Sequence, residues 1–430
     1  MQKNMLEILC CPSCKGELKL EIAGQNNGNI IEGKTICSNC RNEYLIYEGI
    51  LRAYIPDKDI IALSDTSKFS KFIITPENLD KWIGRAKTIN ISNFFTNKLL
   101  VKFLLGFGWI LLFFSFSFFI LFYFNFYTLV NRNFSLSVIY LGVCIGLFFF
   151  IIDYLMYRRK AKAGYLNNLL TLRELLKKHI LSEYDIRSFT KDTGRESSFK
   201  TEFESQKNFV SYKGKKIEEI LDKYNLKVEK ALSVGCGGAL HKDVSTPYFD
   251  RGYNMIGVDI NEEYLKQFNQ IFNTDVAQVN SMALPFRSNQ FDLINFTDLI
   301  EHLHHPLLGL REAQRVLKKD GVIILTTNNH CEVTFRCLNP LIFIEKVVSL
   351  YCVGTMSTRN IIGKWLDFNF YHTEFTKYEI IKLMNAANFK IISLETQFPH
   401  RHKLNKIFKK LPILKHMCSE FVIIGKKTAV

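Results

Sequence analysis

The chain contains 430 residues, with 56 Lys or Arg against 41 Asp or Glu, so its formal net charge at pH 7 is +15. This length allows two or three domains and a core that does not depend on disulfides. With 47% hydrophobic residues, the composition excludes a wholly disordered, a collagen-like and a small disulfide-rich protein.

Two Cys-x-x-Cys motifs lie near the start of the sequence, Cys11 with Cys14 and Cys37 with Cys40. Four thiolates on two tight turns complete a tetrahedral Zn²⁺ site without an open position, which is typical of structural zinc. In a reducing compartment this spacing favours a metal over disulfides, and the metal would stabilise a domain too small for a large core. We therefore predict a zinc-ribbon domain at residues 1–57, with Cys10 as a packing residue.

The segments LEILCCPSCKGELKL (6–20) and ICSNCRNEYLIYEGILRAYIPD (36–57) resemble the small zinc-ribbon subunit that activates several RNA and protein methyltransferases. The resemblance implies a docking or stabilising role for residues 1–57 rather than chemistry of their own. It is looser at Leu51, where the family usually has proline. The fusion suggests that the ribbon docks on a methyltransferase domain of its own chain, and a separate partner is the alternative.

Two long uncharged runs follow a linker at residues 58–98. They cover residues 103–124 and 134–152, and each is about as long as a helix that spans a bilayer core. Basic residues flank the pair on both outer sides, whereas the short link between the runs carries only Arg132. Because positive residues stay on the cytoplasmic side, we predict a transmembrane hairpin at 99–157 with both large flanking regions in the cytoplasm. The alternative is a pair of buried core helices in a soluble protein.

Residues 158–225 form a basic connector after the predicted hairpin. Apolar residues recur at three- and four-residue steps from Leu169 to Ile180, which predicts one apolar stripe on a helix. Residues 190–213 are polar and indicate a flexible linker. The basic excess would hold the connector against anionic lipid headgroups. The alternative is a plain solvated helix and spacer.

Six short β-branched runs alternate with amphipathic helical patterns in residues 226–430, which predicts a parallel α/β sheet. The runs are 231–234, 255–259, 291–295, 322–327, 389–394 and 421–425. A glycine-rich loop at 235–238 follows the first run directly and allows the backbone to approach a ligand closely. Asp259 ends the second run, where its carboxylate can accept hydrogen bonds from both hydroxyls of a ribose.

Further motifs resemble those of type-11, class I S-adenosylmethionine-dependent methyltransferases over residues 228–427. They occur in the family's order and spacing: NSMALPF (280–286), FDLI (291–294), IEHL (300–303) and LREAQRVLKKDGVIILTTNN (310–329). The resemblance implies an α/β fold with a Rossmann-like, doubly wound, seven-stranded sheet and S-adenosylmethionine as cofactor. The alternative is a NAD-dependent enzyme whose motifs match by accident.

The same resemblance implies which residues bind the cofactor. They would be Gly235, Cys236, Gly237, Asp259, Asn280, Ser281 and Met282, with Asn280 and Ser281 near the adenine. The sequence departs from the family at three positions, because Ser233 and Asn280 replace acids and Ala239 replaces a glycine. These departures would weaken cofactor binding.

Candidates for catalysis follow the strand at 291–295 and precede a late helix. They are His302, His372 and Asp298, the last of which would face the side of methyl transfer. Either histidine can act as general base for a hydroxyl acceptor. His304 and His305 are better explained as residues of a helix-initiating turn.

Two insertions and the predicted hairpin suggest the acceptor. Residues 328–371 include apolar stretches, and residues 401–415 interleave basic and apolar side chains. Loops after parallel strands gather at the carboxyl edge of a sheet, so both insertions would border the acceptor pocket. We predict a membrane-anchored methyltransferase acting on a lipid, a quinone-like molecule or a lipid-linked glycan.

Two other functions stay open. RNA or protein methylation suits the ribbon and the positive charge, but base- and glutamine-modifying members usually carry Asn-Pro-Pro-Tyr where this sequence has NFTD at 295–298. A catalytically inactive scaffold is the third interpretation, and the departures at Ser233 and Ala239 are the reason to keep it.

Overall fold

The computed structural model describes residues 1–55, 76–88, 166–167, 169–170, 173, 196–303, 305–329, 359–362, 370–373, 375–397 and 420–428. Its strands are β1 (Leu18–Asn26), β2 (Asn29–Cys37), β3 (Glu43–Tyr47), β4 (Ile50–Ala53), β5 (Lys230–Val234), β6 (Asn254–Asp259), β7 (Val276–Val279), β8 (Phe291–Thr297), β9 (Leu317–Asn328), β10 (Arg359–Ile362), β11 (Phe370–Thr373), β12 (Phe389–Gln397) and β13 (Glu420–Lys427). Its helices are α1 (Met5–Ile8), α2 (Pro76–Thr88), α3 (Glu196–Tyr224), α4 (Lys242–Phe249), α5 (Glu262–Phe272), α6 (Pro306–Val316) and α7 (Lys377–Ala386), with 3₁₀ turns at Ala239–His241 and Ile300–His302.

Eleven of the described strands form one sheet, in the order β1-β2-β3-β4-β7-β6-β5-β8-β9-β13-β12, and β10 pairs with β11 separately. The seven strands from β7 to β12 in that order are the doubly wound sheet that the methyltransferase resemblance implies. All six predicted runs lie within these strands. The seventh, β7, escaped prediction because it has only 4 residues and Gln278 interrupts its apolar pattern.

Strand direction differs from the prediction at one edge of this sheet. The neighbours from β7 to β9 are parallel, but β13 lies between β9 and β12 and is antiparallel to both. Residues 420–425 of β13 are buried without interruption, and a strand buried on both faces has no alternation to distinguish it from its parallel neighbours. The parallel prediction is therefore wrong for β13, whereas β12, which is antiparallel to β13, runs in the same direction as β9.

Helix α3 covers one face of the sheet. Its buried residues Val210, Ile217 and Leu221 pack with Ala231 and Leu293 of the sheet. Residues 196–213 are therefore part of a helix, and the predicted flexible linker is wrong there. An apolar stripe that packs on a sheet stabilises a helix whose other faces are polar.

The zinc-ribbon region continues the methyltransferase sheet. Strands β1 to β4 form an antiparallel meander, and β4 pairs in parallel with β7, with Leu51 opposite Ala277. Ile46 and Leu51 belong to the same buried cluster as Val258 and Val279. The ribbon thus docks on the methyltransferase strands of its own chain, and the two regions share one core.

The predicted hairpin lies outside the described residues, as do the uncharged runs at 103–124 and 134–152, the basic segment at 401–415 and most of the insertion at 328–371. Among the helices of the described ranges, none combines the length and the apolar character needed to cross a bilayer. Helix α2 lies within the segment predicted as a linker, where Leu79, Trp82 and Ile83 are buried.

Candidate active site

A partly open cleft of about 130 Å³ lies at the carboxyl ends of β5, β6 and β7. This is the edge at which open α/β sheets bind ligands. Its walls are formed by Val234, Gly235, Val258, Asp259, Ile260, Val279, Asn280, Ser281, Met282, Leu299, His302 and Leu303. The cleft therefore brings together most of the predicted cofactor-binding residues and one predicted catalytic histidine.

The glycine-rich loop after β5 requires glycine at two positions. Gly235 and Gly237 have φ of 67° and 63°, and a Cβ on Gly237 would lie 2.7 Å from the His241 ring. Only the backbone of Cys236 serves the loop, because its side chain is buried and burial raises the pKa of the thiol well above its usual range. The loop thus presents bare backbone to the cleft, with an unreactive cysteine behind it.

The carboxylate of Asp259 stands at the end of β6, on the cleft wall. Its Oδ2 accepts a hydrogen bond from the Gly237 amide at 3.0 Å, and its Oδ1 accepts one from the Asn261 amide at 2.9 Å. Burial raises the pKa of this carboxyl group, and the backbone hydrogen bonds oppose that shift. Each oxygen has a further lone pair, so the group fits a pair of ribose hydroxyls.

Asn280 is fixed by both domains. Its Oδ1 accepts from the Met282 amide at 3.0 Å, and its Nδ2 donates to the Ile55 carbonyl at 3.0 Å, at the end of the ribbon. Where the family has an acid, this chain thus has an amide that can bind the ribbon backbone as a donor. Asn280 therefore belongs to the cleft wall and also contacts the ribbon.

Residues 298–302, here called the cleft turn, lead from β8 into the second wall of the cleft. Leu299 and His302 lie on that wall. Asp298 is not among the described wall residues: its carboxylate forms an ion pair with Lys213, and its Oδ1 accepts from the Thr326 hydroxyl at 2.7 Å. The structure therefore places Asp298 beside the cleft, in an ion pair.

The other predicted histidines lie in different surroundings. His305 caps α6, where its Nδ1 accepts from the Leu308 amide at 3.4 Å and burial lowers its pKa to about 4. His372 is opposite Asn360 in the β10–β11 pair, and β11 runs next to the 3₁₀ turn that carries His302. His304 lies outside the described residues. The helix-entry role predicted for His305 is therefore confirmed.

Sequence reasoning missed Lys213 and His241. Lys213 was assigned to the flexible linker, although it is buried beside Asp298. Burial lowers the pKa of His241, and the neighbouring Asp298 carboxylate opposes this shift. The signal for His241 was its place shortly after the glycine-rich loop, where its ring lies next to Gly237.

The four predicted zinc ligands form one cluster. Their sulfur atoms all lie within 4.8 Å of one another, with Cys11 to Cys40 at 3.6 Å and Cys14 to Cys37 at 3.4 Å. Tetrahedral Zn–S bonds of about 2.3 Å imply sulfur separations of about 3.8 Å. The amides of Asn39 and Cys40 donate to the Cys37 sulfur, as a thiolate ligand requires. The donor set and its geometry fit a zinc ion.

The first cysteine turn contacts residues 284–287, which follow the cleft-wall residues 280–282 along the chain. The Cys10 amide donates to the Pro285 carbonyl at 2.9 Å, and the Arg287 amide donates to the Ile8 carbonyl at 2.8 Å. Lys15 pairs with Glu312 at 2.8 Å and also donates to the Leu284 carbonyl. The four-cysteine cluster is thus connected to residues 284–287 through the backbone next to it.

Two family models match the chain. One, described as a methyltransferase domain, matches residues 232–325, and the other, described as Trm112p-like protein, matches residues 2–49. The first match spans the glycine-rich loop, Asp259 and the cleft turn, and the second spans all four clustered cysteines.

Curated relatives align with the methyltransferase part. A ubiquinone biosynthesis O-methyltransferase of Pseudomonas fluorescens is 26% identical over 161 residues, which are 35% of this chain and 67% of the relative. An uncharacterised protein of Methanocaldococcus jannaschii is 31% identical over 124 residues, 29% of this chain and 46% of that protein. A solved S-adenosylmethionine-dependent methyltransferase of Methanosarcina mazei aligns with a TM-score of 0.37 at 18% identity, covering 49% of this chain and 98% of its own. By its matched domains and relatives, this chain is an S-adenosylmethionine-dependent methyltransferase that carries a Trm112p-like domain in the same polypeptide.

Proposed function

We propose that this protein is a membrane-anchored methyltransferase that methylates a hydroxyl group of a lipid, a quinone-like molecule or a lipid-linked glycan. The observation that carries the proposal is the position of His302, a potential base, on the wall of the cofactor cleft. The similarity to ubiquinone biosynthesis O-methyltransferases supports a hydroxyl acceptor. The uncharged runs at 103–124 and 134–152 support an acceptor at the bilayer and two spans with both large regions cytoplasmic.

The residues of the cleft fit S-adenosylmethionine, which supplies an electrophilic methyl group when it is bound. Asp259 would accept from the ribose hydroxyls, residues 280–282 would border the adenine, and Gly235 would border the amino-acid portion. His302 would accept the proton of the attacking hydroxyl, and general base catalysis of this kind contributes about 10²–10⁴-fold to the rate of the catalysed reaction. Leu299 and Leu303 flank it and would exclude water from the reacting atoms.

We also propose that Zn²⁺ binds the four-cysteine cluster in a structural role. All four ligand positions are taken by sulfur, so the ion would have no open position for a substrate. Its effect on catalysis would be indirect, through the ribbon contacts at Asn280 and at residues 284–287.

The test is an acceptor screen with the full-length protein in detergent and S-adenosylmethionine labelled in its methyl group. A total lipid extract, total RNA and a protein extract are offered in separate reactions, and we expect label in the lipid fraction. Asp259→Asn should abolish labelling in every fraction, because it replaces one of the two carboxylate oxygens by an NH₂ donor and removes the negative charge. Asp250→Asn is the matched control, because Asp250 is exposed at the end of α4. We expect this variant to give the same labelling as the wild type.

His302→Gln separates the base from cofactor binding. We expect its turnover to fall by about 10²-fold while its affinity for S-adenosylhomocysteine stays within a factor of about two. Unchanged turnover would contradict the role of His302 and leave the acceptor class to the screen.

RNA or protein methylation is the second candidate, because a Trm112p-like domain is docked on the methyltransferase sheet. Label in RNA or protein, with none in lipid, would overturn the lipid proposal in its favour. Binding of the cofactor with no label in any fraction would contradict both and favour the inactive scaffold.

A further inference from the structure

We propose that Lys213 is a positioning residue for the cofactor cleft: from α3, its ammonium group holds the cleft turn in the arrangement that presents Leu299 and His302 to the cofactor. The proposal concerns the cleft alone and does not depend on the identity of the acceptor.

Lys213 is a buried cation between two carboxylates. Its side chain is 2% exposed and forms ion pairs with Asp298 of the cleft turn and with Glu420 at the start of β13. Glu420 in turn accepts a hydrogen bond from the side-chain Nε2 of Gln397, on β12, at 2.6 Å. One ammonium group from α3 therefore joins the cleft turn to the edge of the sheet.

The cleft turn contains two carboxyl groups, those of Asp298 and Glu301, and the other residues of the turn cannot neutralise both. Glu301 is buried next to Asp298 and accepts from the Thr327 hydroxyl at 2.9 Å. Burial, and then the Asp298 charge, raise the pKa of Glu301 to about 8. Removing one partner of a buried ion pair leaves an uncompensated charge at high cost, so the turn would have to move or take up a proton without Lys213.

The backbone conformation of the cleft turn also depends on the contacts of Asp298. Asp298 has φ of 49°, in the left-handed region, and its amide donates to the Thr326 carbonyl at 3.1 Å. Left-handed backbone at a non-glycine residue persists only where neighbouring interactions hold it. The ion pair with Lys213 and the hydrogen bonds to Thr326 are those interactions.

A shift of the cleft turn would reach the cofactor site directly. A Cβ on Gly235 would lie 3.1 Å from Leu299 Cδ1, so the leucine packs against the glycine-rich loop. Leu299, His302 and Leu303 together form one wall of the cleft. Only one turn of backbone separates Asp298, which pairs with the Lys213 ammonium group, from the residues of that wall.

Lys213→Met in the full-length protein tests the proposal, with Lys216→Met as the matched control. Lys216 lies one turn further along α3 and pairs with Glu395 at 2.8 Å, away from the cleft turn. We expect Lys213→Met to weaken binding of S-adenosylhomocysteine by about tenfold in calorimetry. Amide hydrogen exchange at 298–303 should accelerate locally, since three of these amides are hydrogen-bonded in the turn. Lys216→Met should change neither, and Lys213→Arg should restore most of the affinity.

A purely structural role would give a different pattern. Exchange that accelerates equally throughout residues 226–430, with unchanged affinity, would overturn the proposal. If Lys213→Met does not fold, Asp298→Asn provides the same test, because it removes the ion pair with the cleft turn while Lys213 still pairs with Glu420. Asp298→Asn should show the same local acceleration of exchange at 298–303. Absence of binding by the wild type would contradict the cofactor site itself, whereas the exchange measurement would still test the role of Lys213.

Discussion

Glu301 illustrates how burial sets the properties of a single residue next to the cleft. Its pKa in the folded protein is raised to about 8, from an ordinary value of 4.5, first by burial and then by the charge of Asp298. Lys213 and the hydrogen bond from Thr327 act in the opposite direction without cancelling the shift. Near neutral pH the folded protein therefore holds a proton on Glu301 that the unfolded chain releases.

The predicted consequence is a loss of stability at alkaline pH. The contribution of Glu301 is fully present below about pH 4.5 and is lost as the pH rises through 8. Glu301→Gln keeps a neutral side chain at every pH, so the melting temperature of the wild type should fall relative to this variant by roughly 2–6 °C between pH 6 and 9. Thermal unfolding at a series of pH values measures the difference.

Glu218→Gln is the control for this series, because Glu218 is exposed on α3. Its curve should run parallel to that of the wild type across the whole pH range. A parallel curve for Glu301→Gln as well would contradict the raised pKa of Glu301.

Residues that depart from the methyltransferase family also have a local explanation. Ser233 is buried within β5, where its hydroxyl accepts from the Asn295 side chain at 3.2 Å. It is absent from the described wall of the cleft, whereas Asn280 lies on the wall and is held by the ribbon. The weaker binding expected from these substitutions therefore depends on Asn280 more than on Ser233.

At the scale of elements, the ribbon supports the cofactor cleft through β4 and the first cysteine turn. Cys14→Ser removes one of the four clustered sulfurs and should abolish stoichiometric zinc. Because the ribbon holds Asn280 and residues 284–287, we expect affinity for S-adenosylhomocysteine to fall by about tenfold. Metal analysis and calorimetry on the full-length protein provide the two measurements.

Cys10→Ala is the matched control, since Cys10 precedes the first ligand and is outside the cluster. It should retain zinc and lose little affinity. Zinc-free protein that binds the cofactor product as tightly as the wild type would show that the ribbon serves another partner.

The elements also show what the sequence could and could not predict. Apolar runs identified six strands, and spaced cysteines identified the four-cysteine cluster, because each signal is local. The pairing of β4 with β7 joins residues more than two hundred positions apart, and nothing near Leu51 or Ala277 indicates it. Lys213 was missed for the same reason: its partners Asp298 and Glu420 lie far along the chain, while its own neighbours are polar.

At the scale of the whole molecule, the hairpin predicted at residues 99–157 would determine where the enzyme works. We expect the full-length protein to sediment with membranes and to resist extraction with alkaline carbonate, because two apolar helices would anchor it. Deletion of residues 99–157 should release it into the supernatant with its cofactor binding retained. Quantitative immunoblotting of the two fractions checks both outcomes, and wild-type protein in the carbonate supernatant would contradict the hairpin.

The pairing of β4 with β7 also bears on the solubility of the protein. Without the ribbon, the methyltransferase sheet would end at β7, with backbone donors and acceptors that now face β4 left unpaired. Leu284 and Phe286, which belong to the buried cluster shared with the ribbon, would lose part of their cover. An uncovered apolar edge strand is a template for pairing with other chains. We therefore expect the ribbon to act as an edge cap, so that the catalytic sheet without it would be prone to aggregation.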